Sequence, residues 1–463
     1  MKKILLINTS LRPNSPVKMF PVGLGYIATV LNDTDHKLDI MDLDLNCLDV
    51  LSGEFRNFID DTFFFLEKHD KIPNYDYIMF GSIVSGYKMI KELAAQCRSL
   101  WPEAVIVVGN TVAGSIPDLL LKNTETNIAV IGEGDQAVLD VLNWTGPETK
   151  AKIQSKVPCE IDSLPWINFD LFDTESYIRL SPLQISDPLP SGLKRSKIRM
   201  LPINTARGCP HNCTFCYHSF KGIPYRKRSF DNIRSEIEFL KDKYNINYVG
   251  FSDELTFHNH KRLNEFFDSF DQFFGVWWMA NTRADLFRKP EDVDKIKRMK
   301  KLGCHGFSFS LENADPIILA AMNKRLTVDQ FKFQTELVHK AGLPVWTSLV
   351  FGYPQETPKT IKATFDACAE VGVYPSVGFL LPQPGSVMYQ WARSNGYISN
   401  EEKYLLNMGD RQDLRLNMTK MSNEEFFGLV REEALKCAKA VGVDVGDDPI
   451  RTQYYRGKNN DIA

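Results

Sequence analysis

The chain has 463 residues, 43% of them hydrophobic and 24% charged, with a formal net charge of −3. That length supports two or three domains with ample buried core, and so weak a charge gives no expectation of a nucleic-acid or membrane-surface partner. No run reaches the roughly 18 apolar residues of a membrane span, the N-terminus lacks a signal-peptide pattern, and nine cysteines are too few for a disulfide scaffold. A cytoplasmic protein without membrane insertion is the expectation.

The first third alternates short apolar runs with amphipathic stretches. Strands are predicted at 3–8, 38–42, 77–82, 104–108 and 128–131, and helices at 23–31, 88–100, 117–122 and 136–142. Apolar strands separated by single helices specify a doubly wound parallel sheet, Rossmann-like or flavodoxin-like, over residues 1–145. Ligands of such sheets sit at the carboxyl ends of the strands. Those positions hold Ser82 and Ser85 after the third strand, Gly109, Asn110 and Thr111 after the fourth, and Gly132, Glu133 and Gly134 after the fifth. Each glycine taken alone is also an ordinary turn residue. No G-x-G-x-x-G follows the first strand, so a nicotinamide cofactor is not indicated.

Residues 146–199 carry scattered Pro and Ser with little periodicity and read as a connecting segment wrapped over the next domain. Strands are then predicted at 200–206, 248–252, 276–281, 306–311, 345–351 and 376–381. Six strand–helix units over residues 200–395 suit a partial (β/α)6 barrel, whose site lies at the C-terminal ends of its strands. Polar residues fall there. Asp253 and Glu254 follow the second strand and suit an ammonium; Asn281 and Arg283 follow the third, where a guanidinium can pair with a carboxylate. Ser308, Ser310 and Glu312 line the fourth and suit a ribose diol, and Gly352 after the fifth leaves room for an adenine or methionine moiety. Trp277, Trp278, Trp346, Tyr353 and Tyr389 gather near the same strands, as core or as cavity wall. Residues 396–463 form a small helical region with an amphipathic helix expected over Asn423–Val441, and 451–463 look frayed.

Cys209, Cys213 and Cys216 form a C-x3-C-x2-C triad just after the first barrel strand. Three thiolates in one short loop can converge on a cubic iron–sulfur cluster, and without a fourth cysteine one iron is left open to a substrate or cofactor. The alternative is a Cys3His zinc site with His211 or His218 as fourth ligand, but no second C-x2-C pair accompanies it. His258 and His260 make an H-x-H pair without a third ligand nearby. Cys47, Cys97, Cys159, Cys304, Cys368 and Cys437 are scattered, as buried thiols commonly are.

The triad's spacing, with Phe215 before its last cysteine, resembles the signature of the radical SAM superfamily. The resemblance implies that Cys209, Cys213 and Cys216 hold a 4Fe–4S cluster whose open iron chelates S-adenosylmethionine. An electron from a donor such as flavodoxin or ferredoxin then cleaves the sulfonium to a 5′-deoxyadenosyl radical. It also implies S-adenosylmethionine contacts from Phe215, Asp253, Glu254, Arg283, Ser310, Glu312 and Gly352.

Residues 21–26, 107–111 and 131–134 together resemble the cobalamin-binding domain that precedes the barrel in one large radical SAM class. On that resemblance Ser82, Ser85, Gly109, Asn110, Thr111, Gly132, Glu133 and Gly134 contact cobalamin. Two departures stand out. Asn110 occupies a position where the family often has a second glycine, and no D-x-H-x-x-G motif follows the first strand to supply a histidine to the cobalt. The methylthiotransferases of the superfamily need three further cysteines in this domain, and the loop after the first strand has none.

The fold expected is therefore α/β: a doubly wound Rossmann-like cobalamin-binding domain, a partial (β/α)6 radical SAM barrel, and a small helical C-terminal region. The function implied is class B-like methylation of an unactivated carbon in a small-molecule or peptide natural product. One S-adenosylmethionine methylates cob(I)alamin, a second yields the radical that abstracts a substrate hydrogen, and the substrate radical takes the methyl group. A cyclase or rearrangement enzyme with the same cofactors would give a product without the added CH2. A non-catalytic iron–sulfur or zinc protein would not turn over S-adenosylmethionine. Neither the substrate nor a catalytic base is legible in these motifs.

Overall fold

The computed structural model describes residues 1–9, 15, 17–46, 73–146, 149–156, 160–217, 222–446 and 448–450. Cys47, Cys159, His218 and the stretch 451–463 lie outside the described residues.

The first domain is a six-stranded parallel sheet of β1 (Lys3–Asn8), β2 (Lys37–Asp42), β3 (Tyr77–Gly81), β4 (Val105–Gly109), β5 (Ile128–Ile131) and β6 (Ala151–Gln154). Both faces are buried, as parallel sheets require. Leu5, Ile7, Ile78, Phe80, Ile106 and Val108 pack on one side, and Ile4, Leu6, Met79, Val107, Ile128 and Val130 on the other. The order β2-β1-β3-β4-β5-β6 reverses direction between β1 and β3. That reversal opens a crevice at the carboxyl ends of these strands, the usual ligand position of such sheets.

β6 corrects the expected boundary at residue 145. It pairs with β5 from Ile128↔Ala151 to Ile131↔Gln154, so the sheet runs on into the stretch read as connecting segment. The sequence Ala-Lys-Ile-Gln conceals it, because an edge strand buries little. Part of that stretch packs between the two domains. Ile167, Phe169, Tyr177 and Ile178 join Phe20 and Tyr26 of the first domain to Leu201 and Ile203 of the second in one apolar core.

In the second domain β7 (Met200–Ile203), β10 (Tyr248–Phe251), β11 (Trp277–Asn281), β12 (Cys304–Ser308) and β13 (Val345–Trp346) form a parallel arc, with β14 (Ser348–Phe351) and β15 (Ser376–Phe379) paired beside it. Between β7 and β10, the short antiparallel pair β8 (Ala206–Arg207) and β9 (Arg226–Lys227) brackets the cysteine loop. Thr347 interrupts the fifth strand, but Glu312 bridges the break. Its amide donates to the Ser348 carbonyl at 3.0 Å and its carbonyl accepts from Val350 at 2.8 Å. The result is an open six-unit barrel, the architecture expected from the sequence.

The C-terminal helix Asn423–Val441, capped by Ser422, buries Phe426, Val430, Ala434 and Cys437 against the barrel's outer layer. The preceding helix Glu401–Leu406 leans instead on the first domain, where Glu402 accepts from Tyr87 at 3.1 Å and from Lys91 at 2.6 Å. The C-terminal region thus spans both domains instead of only capping the barrel. Among the described residues no helix is long and apolar enough to cross a membrane.

Candidate active site

The cysteine loop leaves β8 through Gly208, whose φ of +88° suits a residue without a Cβ. Its path is fixed by hydrogen bonds from three directions. Thr214 donates its amide to the Met322 carbonyl at 2.9 Å and its hydroxyl to the Ala321 carbonyl at 2.8 Å, and its carbonyl accepts from Met388 at 2.9 Å. Asn323 donates to the Asn212 carbonyl at 2.9 Å. Glu254 accepts from the Gly208 amide at 3.2 Å.

Cys209, Cys213 and Cys216 all lie on this one loop with intermediate exposure. Burial raises the pKa of Cys209 and Cys213, and the nearby Lys324 and Arg283 charges oppose that rise at Cys213. Burial, reinforced by Arg283, holds His211 down to about 4, so its imidazole is neutral near pH 7. Among the described residues no three His, Cys, Asp or Glu side chains converge as a single-ion site. The three ligands of a cubic cluster bind separate irons and need no such convergence, so the donor set fits a cluster. The H-x-H histidines have other neighbours: His258 stacks against Tyr225 with ring centroids 4.5 Å apart, and His260 Nδ1 lies 3.3 Å from Lys295 Nζ.

Around the loop, the expected S-adenosylmethionine residues divide by what they already hold. Phe215 packs with Met322, Tyr353, Leu380, Met388 and Tyr389 in a satellite apolar cluster. Asp253 accepts from the amides of Thr205 at 2.7 Å and Ala206 at 3.1 Å, and from Thr256 Oγ1 at 3.0 Å. Both oxygens of Asp253 are thus engaged in holding the turn that leads into the cysteine loop. Arg283 is tied by Nε to Asp285 at 3.0 Å and by Nη2 to the Lys324 carbonyl at 2.7 Å. Glu312, buried and at φ +69°, pairs with Lys324 Nζ at 2.8 Å. Ser310 is half-buried beyond β12. Gly352 has φ +115°, and a Cβ there would find its nearest neighbours at 3.6 Å, so its backbone conformation, not crowding, demands glycine.

At the first domain's strand ends, Ser82 is buried and its hydroxyl has no partner among the described residues. Ser85 is half-buried beside it. Gly109 opens onto free space, Asn110 follows at φ +65°, and Thr111 Oγ1 accepts from the Val84 amide at 2.9 Å. Gly132 has φ +97°, and at Gly134 a Cβ would lie 2.7 Å from Ile27 Cδ1, so close helix packing explains that glycine. The Glu133 side chain is 1% exposed and pairs with two arginines of the barrel, Arg207 at 2.5 Å and Arg226.

Tyr217 marks where the two sets of strand ends meet. A Cβ on Gly114, in the helix Asn110–Ser115 after β4, would lie 3.4 Å from the Tyr217 hydroxyl, and one on Gly385 would lie 2.4 Å from its ring. Arg207, Asp135, Arg226 and Tyr217 were not singled out by sequence. Only their closeness to the cysteines and to the 131–134 glycine loop signals them.

Residues 203–368 match the family model of the radical SAM superfamily. The chain therefore carries the domain of radical SAM enzymes over residues 203–368, set behind a parallel α/β domain. Over 408 residues it is 25% identical to an uncharacterised methyltransferase of Pyrococcus horikoshii, covering 83% of this chain and 81% of that one. It is 24% identical to the cytidylyl-2-hydroxyethylphosphonate methyltransferase of Streptomyces wedmorensis, covering 87% and 83%. Its fold matches the structure of TsrM from Kitasatospora setae, a radical S-adenosylmethionine methyltransferase with cobalamin and a 4Fe–4S cluster bound. That match has a TM-score of 0.60 at 16% identity and covers 86% of this chain and 79% of that one.

Proposed function

We propose that the protein is a cobalamin-dependent radical SAM methyltransferase acting on an unactivated carbon of a small molecule. The observation that carries this reading is the facing of the two sets of strand ends across Tyr217, one residue beyond the last cysteine of the triad and against Gly114 of the first domain. When bound, a 4Fe–4S cluster on Cys209, Cys213 and Cys216 supplies the electron that splits S-adenosylmethionine, and cobalamin supplies the methyl group.

The chain's own residues prepare the space between. Thr214, Asn323 and Glu254 hold the cysteine loop in one path. Glu254, Ser310, Glu312 and Gly352 border the cleft for S-adenosylmethionine, with Phe215 on its apolar side. Ser82, Ser85, Gly109, Asn110, Thr111 and Gly132 form the corrin face, where the unpartnered Ser82 hydroxyl is a ready donor. No histidine follows β1 in the D-x-H-x-x-G pattern, so shape and backbone contacts hold the corrin. A flavodoxin or ferredoxin in a reducing, cytoplasmic setting would supply the electron. The name of one relative, a cytidylyl-2-hydroxyethylphosphonate methyltransferase, supports a small-molecule substrate.

The test is anaerobic reconstitution with iron, sulfide and hydroxocobalamin, followed by gel filtration and an absorption spectrum. About one corrin retained per chain beside the cluster supports the reading. A corrin that elutes free while the cluster forms refutes methyl transfer through cobalamin and leaves a radical reaction without a methyl carrier.

A further inference from the structure

After the helix Glu401–Leu406, Leu405 and Met408 anchor the chain in the first domain's apolar core. The chain then returns to the barrel, where the Arg411 carbonyl accepts from the Phe379 amide at 2.6 Å. β15 pairs only with β14, so this bond falls on its open edge.

Val377 and Phe379 of β15 belong to the apolar layer shared with Phe426 and Val430 of the C-terminal helix. Side chains alternate along a strand, so Ser376 and Gly378 face the barrel interior. Arg411 lies on that inner side. Its Nη2 donates to Ser376 Oγ at 3.0 Å, and a Cβ on Gly378 would stand 2.9 Å from Nη1. Gly378 thus leaves the space that the guanidinium occupies. Ser376 is the single side-chain partner of this guanidinium among the described residues, and no carboxylate there pairs with it. The arginines near the cysteine loop differ: Arg207, Arg228 and Arg283 each hold an acid.

The inner strand faces toward Arg411 carry polar side chains beside the apolar Met279, Trp346 and Val350. Asn281, Ser308 and Ser348 alternate onto the inner faces of β11, β12 and β14, and all three are half-buried. A guanidinium with forked donors and no acid partner, facing such a space, is suited to an anion.

We propose that Arg411 binds the anionic end group of the substrate, a carboxylate or a phosphonate, inside the barrel. The word substrate rests on the methyltransferase reading; the anion site does not. The test is calorimetric titration of the anaerobically reconstituted protein with acetate, methylphosphonate and, as an uncharged control, dimethyl methylphosphonate. Saturable binding of at least one anion and none of the control is expected. Affinity should fall about tenfold or more in Arg411→Gln, as for loss of a charge-assisted bond. It should also fall in Gly378→Ala, where the charge remains but the guanidinium is displaced. Absence of anion binding in the native protein, equal binding of the control, or undiminished binding in both variants overturns the proposal. If Arg411→Gln does not fold, Gly378→Ala decides alone. Formation of 5′-deoxyadenosine by the native protein, assayed separately, tests the radical reading without touching this result.

Discussion

Arg207 donates from Nη1 to Glu133 at 2.5 Å and from Nη2 to Asp135 at 2.7 Å, so the residue two before Cys209 is clamped by the other domain. Arg226, its partner across the β8–β9 pair, takes the second Glu133 oxygen, and the Tyr26 ring lies 5.0 Å from the Arg207 guanidinium. All three charged side chains of the Arg207–Glu133–Asp135 set are nearly sealed from water, so none can turn to solvent if its partner is lost. The cysteine loop and the 131–134 glycine loop are therefore one mechanical unit.

Glu133→Gln should show how strong that unit is. The change removes the carboxylate that Arg207 and Arg226 share and leaves Arg207 with Asp135, and breaking a buried pair in this way costs about 3–5 kcal/mol. We expect a clear fall in the urea midpoint of the apoprotein and earlier proteolytic cutting between the domains. A midpoint equal to that of the native chain would show that the ion pairs contribute no net stability.

Cys213→Ala should leave the apoprotein folded, because a half-exposed loop thiol contributes little packing. With two thiolates remaining, a cubic cluster is not held. The expected outcome is loss of iron, sulfide and visible absorbance after reconstitution, and 5′-deoxyadenosine at background. A variant that still forms 5′-deoxyadenosine at the native rate would end the radical reading.

Gly385→Ala acts on the cluster loop from outside. The new Cβ would lie 2.4 Å from the Tyr217 ring, and Gly385 has φ +85°, a conformation that L side chains adopt at a cost of about 1–3 kcal/mol. Tyr217 adjoins Cys216, so the expected result is reduced stability together with reduced iron content. Full iron loading with only a stability loss would separate Tyr217 from the cluster's geometry.

Glu356 gives a pH signature. It is 2% exposed, accepts from Thr360 Oγ1 at 2.5 Å and from the Gly352 amide at 3.3 Å, and burial pushes its carboxyl up from 4.5 to about 7. The folded protein keeps this proton to higher pH than the unfolded chain does. The stability contributed by the neutral carboxyl is full below pH 4.5 and is lost as pH rises toward about 7. The shift corresponds to at most about 3 kcal/mol. Melting temperatures taken from about pH 5 to about pH 8 should fall more steeply for the native chain than for Glu356→Gln. Parallel curves would count against an ionisable group at this position controlling stability.

Much of the architecture is legible without coordinates because it depends on local patterning. Continuous apolar runs such as Ile4–Ile7 read as strands covered on both faces, and the Asn423–Val441 periodicity marks a helix with one apolar stripe. The cysteine spacing is likewise a local property, so the cluster proposed on Cys209, Cys213 and Cys216 rests on eight residues of sequence.

β6 escapes this reading because Ala151–Gln154 has no pattern of its own and becomes a strand only by pairing with β5. The roles of charged residues escape it for a similar reason. Asp253, Glu133 and Arg411 look interchangeable with any polar residue at a strand end or in a loop. What each does depends on partners far away in the chain: Thr205 for Asp253, Arg207 for Glu133, Ser376 and Gly378 for Arg411. The sequence alone indicated most of the strands, the helices and the cysteines proposed as cluster ligands, since those follow from periodicity and spacing. Only the tertiary structure decided which charges are already paired, because a charge is satisfied by distance in space and not by position in the chain.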